Sequence, residues 1–560
     1  MVCDITGWCP AGFNLTFWAG VFFLVCPLRA DAHPAHAKPV NYPYVVGFER
    51  FHSSLDDDDY LAGGGLILLN ELNCVSCHEP PRSLRHLLTG VEATNLKGVA
   101  TRLDHINLEL MIRNPRFVKR DTVMPSLFAG PDRDLKEVEA LKQYLLAMTY
   151  EVPEYPQGDI EAGRSLYHRI GCAACHAPEV GYRPPGIPEN AEIEMVGLPS
   201  VPMNLADLYD LNAITHFLLS PNEHRPSGRM PDFQLSTKEA ANLAAYLKAG
   251  PDLQLPDNLT QALQGDEPFA RDESLAKIGK ELFQKKNCTA CHTVPGEKKR
   301  TLHRATSLAK LPTDSEGGCF SERPRGGAIP FFGLDTVQKR AIRATLERIH
   351  EKNGMALPNL LDWRMKKLNC YACHERDGVG GSETSREVYF GFADDKAVEF
   401  GPWGNLPPML DGVGARLTED WLKGILSGRK GGVRSYQMAR MPVYAGREID
   451  PFPAAFRKYD FTPKERVPRD ATAEKGRELF SEGGKNCVKC HQPDPDGVQT
   501  LPGINLQHAP DRLRFSWFRH AVVNPAETLH GAPMPDMFPD DESGKDDAAA
   551  IWKYLESLRD

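Results

Sequence analysis

The sequence predicts a mainly α-helical chain folded as five small tandem helical domains with long loops. Its 560 residues carry the pattern Cys-x-x-Cys-His five times. An amphipathic helical pattern precedes most of these motifs, and a second helical pattern ends most of the repeats. Length alone allows about three to five domains, and the five motifs favour the upper figure.

The repeated motif has a specific chemistry. Two cysteines at this spacing can add to the two vinyl groups of a haem, and the adjacent histidine can ligate its iron. With 14 cysteines and 18 histidines in the chain, chance predicts on the order of 0.01 matches. Structural zinc and redox cysteine pairs are the alternatives, but neither requires a histidine directly after every pair. The pattern therefore favours c-type haem attachment.

Five attachment sites follow from the motifs, and we number them in chain order. The predicted thioether cysteines are Cys74 and Cys77 (site 1), Cys172 and Cys175 (site 2), Cys288 and Cys291 (site 3), Cys370 and Cys373 (site 4), and Cys487 and Cys490 (site 5). The predicted iron ligands beside them are His78, His176, His292, His374 and His491.

The domain organisation follows from these positions and from the linkers between them. We predict a signal peptide at 1–32, an N-terminal linker at 33–59, and repeats 1 to 5 at 60–152, 153–256, 270–352, 353–465 and 466–560. The apolar run from Phe13 to Leu28, followed by small residues at Ala30 and Ala32, is typical of a secretory signal, although a basic start is missing. The predicted location is therefore periplasmic or otherwise exported.

A recurrent glycine and a recurrent tyrosine indicate how each repeat packs. Gly65, Gly163 and Gly279 each lie nine residues before the first cysteine of a motif, which suggests a close helix-helix approach. The closing helices are predicted at 134–148, 237–248 and 546–558, and each carries a tyrosine followed by leucine. We expect the first and last helices of each repeat to cross.

Repeat 4 departs from this pattern. Leu361 stands where the helix glycine is expected, and Pro451, Pro453 and Pro463 lie where a closing helix is expected. We therefore expect a neighbouring segment to complete the fold of repeat 4.

On these features, each repeat resembles a class I cytochrome c, and the chain resembles a pentahaem c-type cytochrome. The resemblance implies five covalently bound haem c groups, a first helix that crosses the last, and a methionine sixth ligand in a Met-Pro pair. A thioether is a soft ligand that suits haem iron. The matching methionines are Met124, Met230, Met441 and Met534, with Met438 and Met537 as nearby competitors.

Repeat 3 lacks this methionine. Ile329-Pro330 stands at the Met-Pro position, and isoleucine has no donor atom for iron. Three alternatives remain for the third haem: an open or water-bound iron, ligation by His303 or His350, or ligation by Cys319.

Three functions are compatible with these predictions. The first is an electron-transfer relay between redox proteins that act as donor and acceptor. The second is a haem enzyme at site 3, such as a peroxidase, a small-oxyanion reductase or a sulfur-compound oxidase. The third is the cytochrome subunit of a dehydrogenase complex. The net charge of −9, without a block of five basic residues, predicts no nucleic-acid partner, whereas membrane docking stays open.

Overall fold

A computed structural model describes the chain from residue 40 onward, with gaps. The described residues are 40–53, 57–128, 134–185, 187, 200–203, 208–249, 270–297, 305–351, 358–391, 402–434, 436–444, 446–462, 464–491, 503–529 and 534–559. The predicted signal peptide, residues 33–39 and 54–56 of the predicted linker, and His303 lie outside these ranges. The prediction of a mainly α-helical chain is confirmed.

The first half of the chain contains twelve described α-helices in this order. They are α1 (Val46–Phe51), α2 (Asp58–Glu71), α3 (Val99–Arg102), α4 (His105–Arg113), α5 (Pro115–Val118), α6 (Leu135–Leu145), α7 (Ile160–Arg169), α8 (Cys172–Cys175), α9 (Leu211–Leu219), α10 (Pro221–His224), α11 (Thr237–Lys248) and α12 (Glu273–Lys285).

The second half of the chain continues with thirteen described helices and one hairpin. The helices are α13 (Thr336–His350), α14 (Leu360–Lys367), α15 (Thr384–Glu387), α16 (Pro402–Asn405), α17 (Val413–Arg416), α18 (Glu419–Leu426), α19 (Gly446–Ile449), α20 (Phe452–Tyr459), α21 (Ala473–Phe480), α22 (Ala509–Arg512), α23 (Phe515–Val523), α24 (Pro525–Thr528) and α25 (Glu542–Ser557). The antiparallel hairpin pairs β1 (Glu375–Arg376) with β2 (Val379–Gly380). Short 3-10 helices lie at Cys74–Ser76, Arg82–Leu84, Cys288–Ala290, Leu308–Lys310, Gly318–Phe320, Cys370–Ala372 and Cys487–Lys489.

Short polar side chains begin the long helices. Asp57, Asp272 and Asp335 accept hydrogen bonds from backbone N–H groups in the first turns of α2, α12 and α13. Ser236 forms a capping box with Glu239 at the start of α11. These caps satisfy N–H groups that have no partner within the helix, so the sequence sets where each helix begins.

The first and last helices of repeats 2 and 5 cross within their own repeat, as the sequence predicts. A Cβ added to Gly163 of α7 would overlap the backbone carbonyl of Asn242 in α11. A Cβ added to Gly476 of α21 would overlap the carbonyl of Ala550 in α25 in the same way. Only glycine allows the helix backbones to approach this closely.

Repeats 1 and 3 exchange their closing helices, which corrects the prediction that each repeat pairs its own helices. Helix α2 of repeat 1 packs against α13 of repeat 3, where Thr345 Oγ1 donates to Ala62 O over 2.7 Å. Helix α12 of repeat 3 packs against α6 of repeat 1, where Lys286 Nζ lies 2.7 Å from Glu137 Oε2. The contiguous domains predicted at 60–152 and 270–352 are therefore interwoven.

We name the two interwoven halves by the motif that each contains. Crossed unit 1 joins the first part of repeat 1, which includes α2 and site 1, to residues 305–351 of repeat 3. Crossed unit 3 joins α12 and site 3 to residues 91–148 of repeat 1. The apolar cores follow this division except at Val123 of repeat 1, which packs in the core of crossed unit 1. Cys74 packs with Leu308 and Leu346, whereas Cys288 packs with Leu141.

Aromatic matching gives a physical reason for the exchange. In repeats 2 and 5 an aromatic ring follows the helix glycine by one turn and contacts the tyrosine of the closing helix, with ring centroids 5.5 Å apart for Tyr167 and Tyr246 and 5.7 Å apart for Phe480 and Tyr554. Repeat 3 has the aromatic residue on its first helix but Thr345 on its closing helix.

The exchange gives each first helix a matching surface. The ring of Phe283 on α12 lies 5.6 Å from that of Tyr144 on α6, across the two repeats. Helix α2 carries Leu69 at the equivalent position, and its partner α13 presents the smaller Thr345. Aromatic pairs of this kind add about 0.5–1.5 kcal/mol beyond the area that they bury.

The segment predicted as an N-terminal linker is not only a linker. Within 33–59 the structure has helix α1, whose Phe48 is almost completely buried. A Cβ on Gly47 would lie 2.8 Å from the carbonyl oxygen of Lys366 in α14. Helix α1 therefore packs on repeat 4, which agrees with the expectation that a neighbouring segment completes that repeat. Repeat 4 also has a closing helix of its own, α20, which begins at Phe452 in spite of the prolines.

Short antiparallel bridges join the repeats into pairs. Ser126 of repeat 1 pairs with Phe331 of repeat 3, and Asp232 of repeat 2 pairs with Val443 of repeat 4. Leu417 of repeat 4 pairs with Leu513 of repeat 5. In the described part of the chain, no helix combines the length and apolarity needed to cross a membrane.

Substitution of Gly65 by valine tests the exchanged packing. The new side chain would overlap the carbonyl of Ala341 and the hydroxyl of Thr345, so we expect the free energy of unfolding to fall by about 1–3 kcal/mol. Gly483→Val is the matched control, because a Cβ there meets only Ser481 Oγ at 3.9 Å. Denaturant unfolding of both variants measures the effect, and equal stabilities would contradict the close contact.

Candidate cofactor sites

The five motifs share one local geometry. The residue before the first cysteine has a left-handed backbone in every case, with φ of 60° at Asn73, 116° at Gly171, 63° at Asn287, 57° at Asn369 and 54° at Asn486. Asparagine and glycine are the residues that tolerate this conformation best. A tight helical turn follows, and the histidine N–H donates to the carbonyl of the first cysteine, as from His78 to Cys74 over 2.9 Å.

Each motif histidine also contacts a backbone carbonyl through Nδ1. The distances are 2.6 Å from His78 to Thr306 O, 2.9 Å from His176 to Val201 O, 2.9 Å from His292 to Thr94 O, 2.7 Å from His374 to Pro408 O and 2.9 Å from His491 to Ile504 O. A carbonyl only accepts, so Nδ1 must carry the proton. Nε2 is then the ring nitrogen that carries the lone pair and can ligate a metal.

Burial keeps several of these imidazoles neutral. It lowers the pKa of His176 to about 4, although the hydrogen bond to Val201 opposes the shift. Burial also lowers the pKa of His374 and His491. A neutral imidazole with a free Nε2 is the form that binds iron.

The hydrogen bonds from the motif histidines to carbonyls also cross between repeats 1 and 3. His78 of site 1 contacts Thr306 of repeat 3, and His292 of site 3 contacts Thr94 of repeat 1. In repeats 2, 4 and 5 the acceptor belongs to the same repeat as the histidine. Sites 1 and 3 are therefore completed by each other's repeat, both at the helices and beside the histidine.

This exchange changes which motif shares a unit with Ile329. Chain order predicts that Ile329 and Cys319 belong with site 3, because both residues follow that motif in the sequence. In the structure both residues belong to the segment that closes crossed unit 1, with His78, whereas Met124 belongs to the segment that closes crossed unit 3, with His292. The assignment by chain order is thus corrected.

One continuous cavity of about 1810 Å³ reaches all five motifs. Its wall is mostly apolar and includes the histidine and at least one cysteine of every site. The four methionines of the Met-Pro pairs also line it, namely Met124, Met230, Met441 and Met534. Met537 lines it as well, as do Met111 and Met203, which the sequence analysis did not consider.

The other ligands considered for the repeat without methionine differ in position. Cys319 lines the cavity, and burial, followed by the nearby Cys77, raises the pKa of its thiol to about 11. His350 is exposed at the end of α13, and its Nε2 lies 3.3 Å from Leu308 O. Of these two described candidates, only Cys319 faces the cavity.

Motifs of paired repeats touch each other through asparagine amides. Asn73 Nδ2, beside site 1, donates to Cys291 Sγ of site 3 over 3.1 Å, and Asn287 Nδ2 donates back to Cys77 Sγ over 3.5 Å. Asn369 Nδ2 of site 4 reaches Cys175 Sγ of site 2 over 3.3 Å. The second cysteines of sites 1 and 3, and of sites 2 and 4, therefore lie near the partner motif.

Arg386 of repeat 4 links its repeat to site 2. Its guanidinium donates to the carbonyls of Ala173 and Ala174, within the site 2 motif, over 3.1 and 2.9 Å. A third hydrogen bond reaches Ser200 Oγ over 2.6 Å, and Arg386 is only 5% exposed. Charged hydrogen bonds to buried carbonyls fix the motif in place.

Three arginines line the cavity between sites 4 and 5, namely Arg512, which is buried, and Arg416 and Arg434, which are half-buried. Burial, followed by the charge of neighbouring arginines, lowers the pKa of Arg416 and of Arg512 to about 10. Such a cluster of like charges is stabilised by an anionic group brought into the cavity.

These features fit a haem at each motif. The Nδ1 hydrogen bond of each histidine makes Nε2 the nitrogen that can ligate iron, the cavity wall is apolar, and the cysteines reach the cavity. The arginines near sites 4 and 5 suit the propionate groups that a haem carries. Among the described residues, no group of three or more His, Cys, Asp or Glu side chains is placed to hold a bare metal ion. None of the eleven described cysteines forms a disulfide.

Two groups of residues in these sites were not predicted from the sequence. The asparagine before four of the motifs was visible in the sequence, as Asn-Cys-x-x-Cys-His, and its left-handed backbone follows from residue type. The arginines of α17 and α22 also recur in equivalent positions before Leu417 and Leu513. Their convergence across two repeats depends on the tertiary structure.

Arg386→Gln tests the link between repeat 4 and site 2. We expect the free energy of unfolding to fall by about 1.5–3 kcal/mol, because charged hydrogen bonds to buried carbonyls are lost. Arg85→Gln serves as the control, since Arg85 pairs with Glu79 on the surface, where both side chains are more than half exposed, and such pairs contribute less than about 1 kcal/mol. A loss no larger than that of the control would contradict the role of Arg386.

Comparison with known proteins agrees with this geometry for two of the repeats. A protein-family model described as cytochrome c matches residues 160–250 and 473–559, which contain sites 2 and 5. No curated protein and no solved structure matches the chain. These two segments are thus similar to cytochrome c domains, a family that carries haem iron as covalent haem c.

Proposed function

We propose that the chain is an exported pentahaem c-type cytochrome that relays electrons between two redox proteins. The observation that carries this proposal is the shared geometry of the five motifs around one cavity, because sites 1, 3 and 4 repeat the histidine hydrogen bond of the two matched domains. When bound, each haem would supply an iron that accepts and gives up one electron. No nucleic acid is involved, and membrane docking remains compatible with the proposal.

The chain's own residues would hold these groups. Cysteine pairs would form the thioethers, each histidine would ligate iron through Nε2, and each backbone carbonyl would fix the imidazole ring. Met230, Met441 and Met534 would complete the iron at sites 2, 4 and 5, and Met124 would complete it at site 3. Saturated coordination of this kind suits electron transfer rather than substrate binding.

The pairing of repeats gives the relay its order. Asn73 and Asn287 bring the cysteines of sites 1 and 3 together, and Asn369 does so for sites 4 and 2. Site 5 adjoins site 4 through the bridge of Leu417 with Leu513. Because electron tunnelling weakens steeply with distance, neighbouring motifs would exchange electrons fastest.

The two groups of sites also meet. Arg229 of repeat 2 forms an ion pair with Glu71 at the end of α2, with Nε 2.9 Å from Oε2. The backbone N–H of Asn95 donates to His224 O over 2.9 Å, again between repeats 1 and 2. The proposed path therefore runs from the pair of sites 1 and 3, through the pair of sites 2 and 4, to site 5.

Haem counting and pulse reduction test the relay together. The pyridine haemochrome spectrum should show five haems per chain, and Cys487→Ala/Cys490→Ala should show four. After a pulse of substoichiometric reductant, the electrons should redistribute among the haems at a rate independent of protein concentration, since the transfer is intramolecular. Fewer than five haems in the unmodified chain, or a redistribution rate proportional to concentration, would contradict the proposal.

A further inference from the structure

We infer that site 1, rather than site 3, binds an external ligand: a small neutral molecule at the position opposite His78. This inference rests on the proposed function, because it requires a haem at site 1. It concerns the side of the cavity that residues 305–334 close over the motif.

The segment that closes site 1 comes from repeat 3. Thr306 O contacts His78 Nδ1, Ala305 N–H donates to Cys77 O over 3.1 Å, and Leu308 N–H donates to Glu79 O over 3.1 Å. Helix α13 then packs on α2 at Gly65. Site 2 is completed by the same features in the same order, and all of them come from repeat 2. The carbonyl that contacts the histidine comes first, Met230 follows, and the closing helix is last.

The antiparallel bridges identify the residue at the methionine position of crossed unit 1. In the pair of repeats 2 and 4, the bridge between Asp232 and Val443 lies two residues after Met230 and Met441. In the pair of repeats 1 and 3, the equivalent bridge between Ser126 and Phe331 lies two residues after Met124 and Ile329. Ile329 therefore occupies the methionine position of crossed unit 1, and its side chain lines the cavity without a donor atom.

His350 and Cys319 are the two other candidate ligands of repeat 3 that the structure describes. His350 is exposed, does not line the cavity, and contacts Leu308 O. The Cys319 thiol faces the cavity beside Cys74 and Cys77, the two predicted thioether cysteines of site 1, and it lies ten residues before Ile329 at the Met-Pro position. The thiol would be a neighbour of the ligand rather than the ligand itself.

The side chains of the cavity wall determine which class of ligand site 1 would accept. The cavity wall that this segment forms includes Leu308, which is fully buried, and Phe332, which is 7% exposed. Leu311 and Phe320 pack against the same core. Arg343 lies over the Phe320 ring and is paired with Glu316, so its charge is already balanced. An apolar wall disfavours charged ligands, because they would lose hydration without a partner. The geometry thus suits a neutral diatomic molecule.

Carbon monoxide is the probe that tests this inference, because it binds ferrous haem only at an open position. The reduced full-length protein should bind one equivalent of carbon monoxide per chain, measured from the change in the Soret band. Ile329→Met restores the missing Met-Pro pair and should abolish this binding. Ile329→Leu is the matched control without a donor atom and should retain it. Met124→Ala should raise the stoichiometry from one to two, by opening site 3.

Several outcomes would overturn the inference. They are no binding to the unmodified protein, binding that persists in Ile329→Met, and an unchanged stoichiometry in Met124→Ala. Binding that appears only in Cys319→Ala would overturn it as well, since it would identify the thiol as the ligand. A haem count of five in the same samples keeps the proposed function intact if the inference fails, whereas a lower count means that the proposed function has failed.

Discussion

The contact between a glycine of one helix and a backbone carbonyl of another is the constraint on which the rest of this structure depends. At Gly65 and Gly279 this contact joins helices from different repeats, because α2 meets α13 and α12 meets α6. Each first helix carries its motif directly after it, so the exchange of closing helices also exchanges the loops that surround the motifs. Repeats 1 and 3 are consequently two parts of one folding unit, and loss of the closing helix of one repeat would expose the core around the motif of the other.

The exchange also organises the candidate cofactor sites. It brings Asn73 within hydrogen-bond distance of Cys291 and Asn287 within that distance of Cys77, an arrangement that two independent domains would have to reach by docking alone. Repeats 2 and 4 achieve similar proximity by docking, with Asn369 at Cys175 and Arg386 at the site 2 carbonyls. The two pairs thus place their motifs alike, although only one pair is interwoven.

The motifs and the helical fold class could be predicted from the sequence, because both depend on residues that lie close together along the chain. The motif cysteines, the histidine beside them and the helix glycine lie at fixed separations along the chain, and a mainly helical fold follows from apolar periodicity. The partner of each closing helix is a nonlocal choice, and chain order suggested the wrong one for repeats 1 and 3. The sequence did contain a sign of the exchange. The closing helix of repeat 3 has no tyrosine to pair with Phe283, and the first helix of repeat 1 has no aromatic residue at the position that would face Tyr144. Helix α1 was missed because six residues carry too little periodicity to predict a helix.

The most direct measurement of the exchanged packing is carbodiimide cross-linking followed by peptide mass spectrometry, because this reagent joins a lysine to a carboxylate only where the two are in contact. The exchange predicts an amide bond between Lys286 of repeat 3 and Glu137 of repeat 1, whose charged atoms lie 2.7 Å apart. Lys475 and Asp547, also 2.7 Å apart, provide the control inside repeat 5. Recovery of the control link together with links from α12 to α13, and none from Lys286 to Glu137, would contradict the exchange.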